Sequence, residues 1–447
     1  MAFVQGLELA RLQARISTDQ LTIADTRQGH PTFHFRPTLT IWSARIRPWL
    51  HGRGVKNHFE NQKNPILCYR AVNLLNVKVF FMGPLAPVWL ATVVFAISAM
   101  MVGLMVGTRG VHVAVTTRGH DLHAIQAAHT RPTPRVGGLA VVVAICCALL
   151  LGIPNFPKDR ALLFIASLLP VFIAGLAEDL GYRVSPRGRL WAAALSSMVV
   201  VFFMGDWITE SGLPGVDLLL AFAPFAIPVT ILWTTGLCHA FNLIDGVNGL
   251  MGGVALMIAL ALAFMSHDVG YQPVMVTSLA VAAALAGFLM FNFPKGQIFM
   301  GDAGAYTVGH VLAWLGIFLA IRSEEIAGIS VALLFFWPVA DTFLAIYRRR
   351  ASGRRHDQPD RLHVHQLVMR GLEIVLLGRG RRHISNPLTA VVLMPLAGMP
   401  VLAGVVFMDR PIWAALSVLI FAVLFVLAYR LGMAYVRHGR RGRAGRN

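Results

Sequence analysis

An aspartate held between two long apolar runs is the first residue in this sequence that chemistry has to explain. Asp302 lies in residues 292–310, NFPKGQIFMGDAGAYTVGH, a polar loop with apolar sequence on both sides. An ionised group beside hydrocarbon is costly unless it faces water, a partner or a ligand. The Asp-Ala-Gly turn also suits a helix cap, and this loop alone does not choose between the two roles.

Three other loops have the same character. Residues 177–190, AEDLGYRVSPRGRL, place Glu178 and Asp179 side by side ahead of Arg183, Arg187 and Arg189. Adjacent carboxylates repel unless they share a cation or a proton, so the pair suits a metal or general-base site beside an anion-binding basic patch. It also suits an ordinary solvated loop. In residues 239–253, HAFNLIDGVNGLMGG, His239, Asn242 and Asp245 recur every three positions, so one helical turn brings them toward one face, and Asn248 follows Gly246. Amides and carboxylates of this kind fit a sugar or a nucleotide. The segment from Asp341 to Leu367 carries Arg348, Arg349, Arg350, Arg354 and Arg355, then Arg361, His363 and His365. Zinc is a poor reading of the two histidines, since no cysteine or suitably spaced third ligand accompanies them. Imidazoles and an arginine at a membrane edge more naturally hold phosphate oxygens, while Arg348 to Arg350 suit anionic lipid headgroups.

The elements that position these loops are apolar. Of the 447 residues, 56% are hydrophobic and 13% charged, and the mean hydropathy is +0.64. The pattern is that of an all-α, polytopic integral membrane protein. Runs able to span fall near 86–108, 137–153, 160–176, 190–205, 217–235, 250–266, 272–291, 304–321, 325–343, 388–408 and 411–430, about eleven helices joined by catalytic loops. A net charge of +18 raises the question of nucleic acid, but the basic residues sit beside the spans. Arg109, Arg118, Arg131 and Arg135, the arginines after Asp179, those after Asp341 and the basic C-terminal tail all fall on one side. The opposite loops, such as DWITESGLPGV and RSEE, are poor in arginine, so the basic side is expected to be cytoplasmic. The segment RPTPRVGG, with Pro132 and Pro134, reads as a rigid extended approach to a span, and Gly137 and Gly138 as permitting either close helix packing or a sharp entry. Cys68, Cys146, Cys147 and Cys238 show no paired or metal-ligand spacing.

The chain divides into residues 1–81, a mixed N-terminal extension; residues 82–432, the multi-span domain; and residues 433–447, a basic tail. Met82 stands just before the first span, and residues 1–81 read either as sequence absent from the working protein or as an accessory extension.

Taken together, the loops supply carboxylates from several places, an Asn and His set, and an Arg and His set. That is an inventory for phosphoryl transfer between anionic partners, one of them a lipid. A transporter of an anionic solute is the main rival; a membrane scaffold would need none of Asn242, Asp245 or Asp302.

The ordered set GLAEDLGYRVSPRGRL, HAFNLIDGVNGL, FMGDAGAY and DRLHVHQL resembles the bacterial polyprenyl-phosphate N-acetylhexosamine-1-phosphate transferases. That family includes the enzymes that start O-antigen, common-antigen and teichoic-acid linkage synthesis, and the phospho-MurNAc-pentapeptide transferase. The resemblance spans roughly residues 86 to 375. It implies a bacterial inner-membrane enzyme with its active site on the cytoplasmic face. The implied reaction takes sugar-1-phosphate from a UDP-N-acetylhexosamine to undecaprenyl phosphate and releases UMP, with Mg2+ or Mn2+ required. It further implies that Asp302 is a metal ligand, with Asp179 beside it. Glu178 and Asp179 are then linked to the lipid phosphate, and Asn242 and Asp245 to the nucleotide sugar and the catalytic centre. Asn248, Arg187 and Arg361 join them as substrate-binding residues, and His363 and His365 hold phosphate. Which carboxylate acts as base stays open, as does the choice between a monomer and a homodimer. Glu178 stands where the family often has aspartate, Asn248 where aspartate is common, and Gln366 where a third histidine is usual. These departures favour a surface-polysaccharide initiator over the peptidoglycan enzyme.

Overall fold

In hydrocarbon each backbone N–H and C=O must find its partner within its own segment or a closed sheet, and the apolar runs accordingly fold as helices. The structure, a computed structural model, describes residues 86–116, 133–351, 363–378 and 381–444, among which there is no strand. Residues 1–81, Met82 and Arg361 lie outside the described residues. In chain order the helices are α1 (Ala86–Gly107), α2 (Arg109–Thr116), α3 (Gly137–Leu151), α4 (Lys158–Asp179), α5 (Pro186–Val199, extended by a π turn to Met204), α6 (Pro214–Leu220), α7 (Ala223–Ile244) and α8 (Leu250–Asp268). They continue with α9 (Gln272–Asn292), α10 (Gly301–Arg322), α11 (Gly328–Leu334), α12 (Phe336–Ala351), α13 (Val364–Leu372), α14 (Arg382–Val406) and α15 (Pro411–Ala444).

Among the described residues nine helices are long and apolar enough to cross a membrane, and α11 with α12, bent by 72°, meets the same test as a pair, as a broken span or a re-entrant loop. The remaining expected span is α3, which at 15 residues is short for a crossing. Each of the eleven apolar runs therefore has its helix. The run expected at 217–235 lies further along the chain, because an extended Phe222 separates the short α6 from α7. The basic tail continues α15 as helix to Ala444.

The centre of the bundle is α10, buried at every position from Gly301 to Ala320. A helix apolar on all sides is buried on all sides, and this one packs against α3, α4, α7 and α8. Small residues permit those approaches. A Cβ on Gly138 of α3 would lie 2.3 Å from the Gly304 Cα, and one on Gly175 of α4 would lie 2.5 Å from the Ala303 Cα. The close approach expected of Gly138 is thus made onto the helix that carries Asp302. At the opposite end of the bundle, buried Asp206 pairs with Arg160 of α4 and Arg322 of α10.

Candidate active site

The sequence before α3 and the loop before α10 pair through their backbones. Phe299 N–H donates to the Pro134 carbonyl at 2.9 Å, Gly137 N–H to Phe299 O at 2.9 Å, and Gly138 N–H to Met300 O at 2.8 Å. Pro134 and the start of α3 therefore seat the Asp302 loop, while Pro132 lies outside the described residues. At Gly301 the chain turns through φ +76°, and a Cβ there would meet Arg135 O at 2.2 Å and Asp179 Oδ2 at 2.6 Å. Only glycine satisfies both the backbone and the space.

Asp302 then falls in the first turn of α10 without capping it. The cap comes from α4, where Asp179 Oδ1 and Oδ2 accept the Asp302 and Ala303 N–H groups at 2.9 Å each. A carboxylate there answers both the unpaired N–H groups and the positive helix end. The Asp302 side chain is left to face its neighbours. Its Oδ2 accepts Arg189 Nη1 at 2.9 Å, its Oδ1 accepts Asn242 Nδ2 at 3.0 Å, and Arg135 Nη2 stands 3.7 Å away. Arg189 also lies 3.9 Å from Glu178 Oε1. The other Glu178 oxygen is buried with no hydrogen-bond partner among the described residues. Asp245 closes the end of α7, half-buried and within electrostatic reach of Asp302 and Arg135. Desolvation raises its carboxyl to about 7; Arg135 works against this and Asp302 with it.

The histidine pair reaches the same place from α13. His363 and His365 are buried and stack with ring centroids 5.6 Å apart and planes at 10°. A Cβ on Gly246 would lie 2.1 Å from His365 Nε2, so the ring rests on the backbone next to Asp245. Burial lowers His365 to about 4, with Asp341 opposing the shift and His363 adding to it, so the imidazole is neutral at pH 7. Gly246→Ala is expected to push His365 off the Asp245 loop. It should cut the rate of the phosphosugar transfer that the resemblance implies about 10- to 100-fold, since displacements near 1 Å have that effect, with little loss of folded protein by thermal unfolding.

The structure thus brings together Glu178, Asp179, Asn242, Asp245, Asp302, His363 and His365. It does not bring in Arg187, which is exposed on α5. Asn248 is also turned aside: its N–H donates to Asn386 Oδ1 at 2.8 Å and its Nδ2 to Pro294 O at 2.9 Å. Sequence reasoning misses Arg189 and Arg135 as partners of Asp302. Helical phase is the usable signal for Arg189, because the buried positions Ala193, Ser196 and Ser197 lie on its face of α5 and not on that of Arg187. For Arg135 there is only its place in the Pro-Thr-Pro segment.

As a donor set the site offers oxygens, the ligands preferred by Mg2+. Asp302 and Asp179 keep lone pairs beyond those already used, and Glu178 Oε2 has no hydrogen-bond partner among the described residues. No group of three or more His, Cys, Asp or Glu positioned for a metal occurs among the described residues. Such a set fits an ion that one or two carboxylates share with water and substrate phosphate.

Residues 160–320 match the family model described as glycosyl transferase family 4. The chain is 25% identical over 316 residues to a probable undecaprenyl-phosphate N-acetylglucosaminyl 1-phosphate transferase of Bacillus subtilis, covering 70% of this chain and 84% of that protein. It is 30% identical over 269 residues to a decaprenyl-phosphate N-acetylglucosaminephosphotransferase of Mycobacterium tuberculosis strain H37Rv, covering 54% of this chain and 66% of that one. With an undecaprenyl-phosphate alpha-N-acetylglucosaminyl 1-phosphate transferase of Escherichia coli K12 the identity is 27% over 248 residues, covering 54% and 66%. The matched segment thus takes in just under two thirds of the mycobacterial and E. coli relatives. On these matches, together with its all-helical membrane fold, the chain belongs to the polyprenyl-phosphate N-acetylhexosamine-1-phosphate transferase family.

Proposed function

We propose that this protein transfers N-acetylhexosamine 1-phosphate from a UDP-sugar to undecaprenyl phosphate and so starts a surface polysaccharide such as O-antigen. The observation that carries the reading is the buried Asp302 carboxylate at the head of α10, with Arg189, Arg135 and Asn242 around it and Asp179 fixing the turn beneath it. The relatives act on polyprenyl phosphates according to their names, and the apolar helices around the site give a lipid acceptor access from the bilayer.

In the proposed reaction an oxygen of the lipid phosphate attacks the phosphorus that bears the sugar. The pyrophosphate bond breaks, UMP leaves, and a lipid pyrophosphoryl sugar remains. Arg189 and Arg135 stabilise charge on the transferred group, and His363 and His365 hold phosphate oxygens. Bound Mg2+, or Mn2+, would supply charge neutralisation of the pyrophosphate, and Asp302 and Asp179 would hold it. Asp245 is assigned as the group that takes a proton from the acceptor phosphate. The site end of the bundle carries Arg135, Arg183, Arg187, Arg189 and Arg348 to Arg350, which supports a cytoplasmic active site in the inner membrane.

The test uses membranes containing the protein, undecaprenyl phosphate, Mg2+ and a panel of UDP-HexNAc donors, with UMP and lipid-linked sugar read together. Product with one donor and its loss on chelation is the expected result; no product with any donor from folded protein overturns the reading. The pH dependence tests Asp245. Its base form is lost as pH falls through about 7, so kcat/KM is expected to level off above that pH and to drop about tenfold per unit well below it. Asp245→Asn should leave a low rate without that acid limb. A limb that survives in the variant assigns the proton to another group.

A further inference from the structure

Asp341 is a buried carboxylate that the reaction above leaves without a part. It lies in α12, just past the 72° bend after α11, and is 1% exposed. An ionised group so placed requires partners, and Asp341 has two. Its Oδ2 is 3.1 Å from His363 Nδ1, and its Oδ1 accepts the Val364 N–H at 3.2 Å. One carboxylate thus caps the first turn of α13 and holds the ring of the residue before it.

Two consequences follow from elementary hydrogen bonding. An ionised carboxylate only accepts, so His363 Nδ1 carries a proton, and Nε2 can donate to a phosphate oxygen only in the doubly protonated ring, the form a facing carboxylate favours. The stack on His365, with planes at 10°, passes that orientation on, and His365 in turn rests on Gly246 beside Asp245. The contacts therefore run from Asp341 through His363 and His365 to the loop that carries Asp245.

We propose that Asp341 is the positioning residue of the histidine pair, holding the proton on His363 Nδ1 and the register of both imidazoles against the phosphosugar. This inference rests on the transferase reading, in which the pair holds phosphate oxygens. Asp341 touches neither substrate nor reacting atoms and acts through His363. In Asp341→Asn the amide oxygen still accepts the Val364 N–H, but the amide NH2 then faces His363 Nδ1. Nδ1 must give up its proton, so the ring that faces the phosphate is left neutral and without the carboxylate that held its register.

The experiment is a double-mutant cycle of Asp341→Asn and His363→Ala in membranes, with kcat and KM for the UDP-HexNAc donor and thermal midpoints of the purified proteins. Asp341→Asn alone is expected to lower kcat/KM about 10- to 100-fold, as loss of a carboxylate that orients a functional histidine does. In the His363→Ala background it should add less than about a twofold loss. The same fold-loss in both backgrounds, in an enzyme whose wild type is active, overturns the inference and leaves the transferase reading standing. Wild type inactive with every donor overturns both. A second measurement covers the case in which the variants fold poorly: nitrogen NMR of histidine-labelled wild type, with the His363 signal identified by its absence in His363→Ala. A protonated Nδ1 supports the proposal, and a bare Nδ1 overturns it.

Discussion

Asp302→Asn is expected to reduce phosphosugar transfer by on the order of 1,000-fold, the scale on which removal of a charge-stabilising group acts, while the protein stays folded and inserted. Asparagine has the same shape, and its oxygen can still accept from Asn242 or Arg189. What disappears is the negative charge that Arg189 meets at 2.9 Å and Arg135 at 3.7 Å. In the proposed reaction the same change removes a ligand of Mg2+, so the residual rate should require far more Mg2+ than wild type. Asp302→Glu keeps the charge but places it one methylene further out; with α10 buried from Gly301 to Ala320, the backbone cannot retreat to compensate. Its activity should therefore also be low. Membrane assays of UMP release, with Mg2+ titrated, separate these outcomes. Turnover near wild type in Asp302→Asn would remove Asp302 from the chemistry and return it to a structural role.

The spans and the loops of interest are legible in the sequence for one reason. Charged and amide residues are rare in this chain, so those beside apolar runs stand out against them. Legibility stops where two segments far apart in the chain must meet. Nothing near Asp179 announces that its carboxylate closes a helix starting more than a hundred residues later, because a cap is recognisable in sequence only when it is local. Asp302 has the residue type and the turn of a local cap, and the structure assigns that task to Asp179. Arg187 and Arg189 are alike in type, and only the phase of α5 sends one to Asp302 and the other to the surface. Asn248 shares a loop with Asn242 and Asp245, yet beyond the turn at Gly246 and Val247 its backbone N–H goes to Asn386 and its side-chain amide to Pro294. Asp341 belongs to a span by composition and to the site only through the bend before α12.

Asp179→Asn is expected to cost about 100-fold in transfer and, unlike Asp302→Asn, to lower the thermal midpoint as well. The two oxygens of Asp179 accept two N–H groups at the head of α10. Asparagine has one oxygen, and its NH2 would face the second N–H, donor against donor. Leaving a buried N–H unpaired costs about 1 to 3 kcal/mol, and the lost charge at the helix end adds up to about 2 kcal/mol in a partly buried setting. The rate falls for a geometric reason: Asp302 is the residue whose own N–H is released, so its carboxylate moves relative to Arg189 and Asn242. Asp179→Ala should unfold at a lower temperature than wild type and be at least as inactive as Asp179→Asn, because no side chain then reaches α10. Thermal unfolding in detergent and donor-saturated turnover in membranes check both variants. A variant with a wild-type midpoint but 100-fold less transfer would make Asp179 a group of the reaction alone. A lowered midpoint with normal transfer would make it a cap alone. Loss of both is expected because one pair of hydrogen bonds, to Asp302 and Ala303, closes the helix and aims the carboxylate at its head.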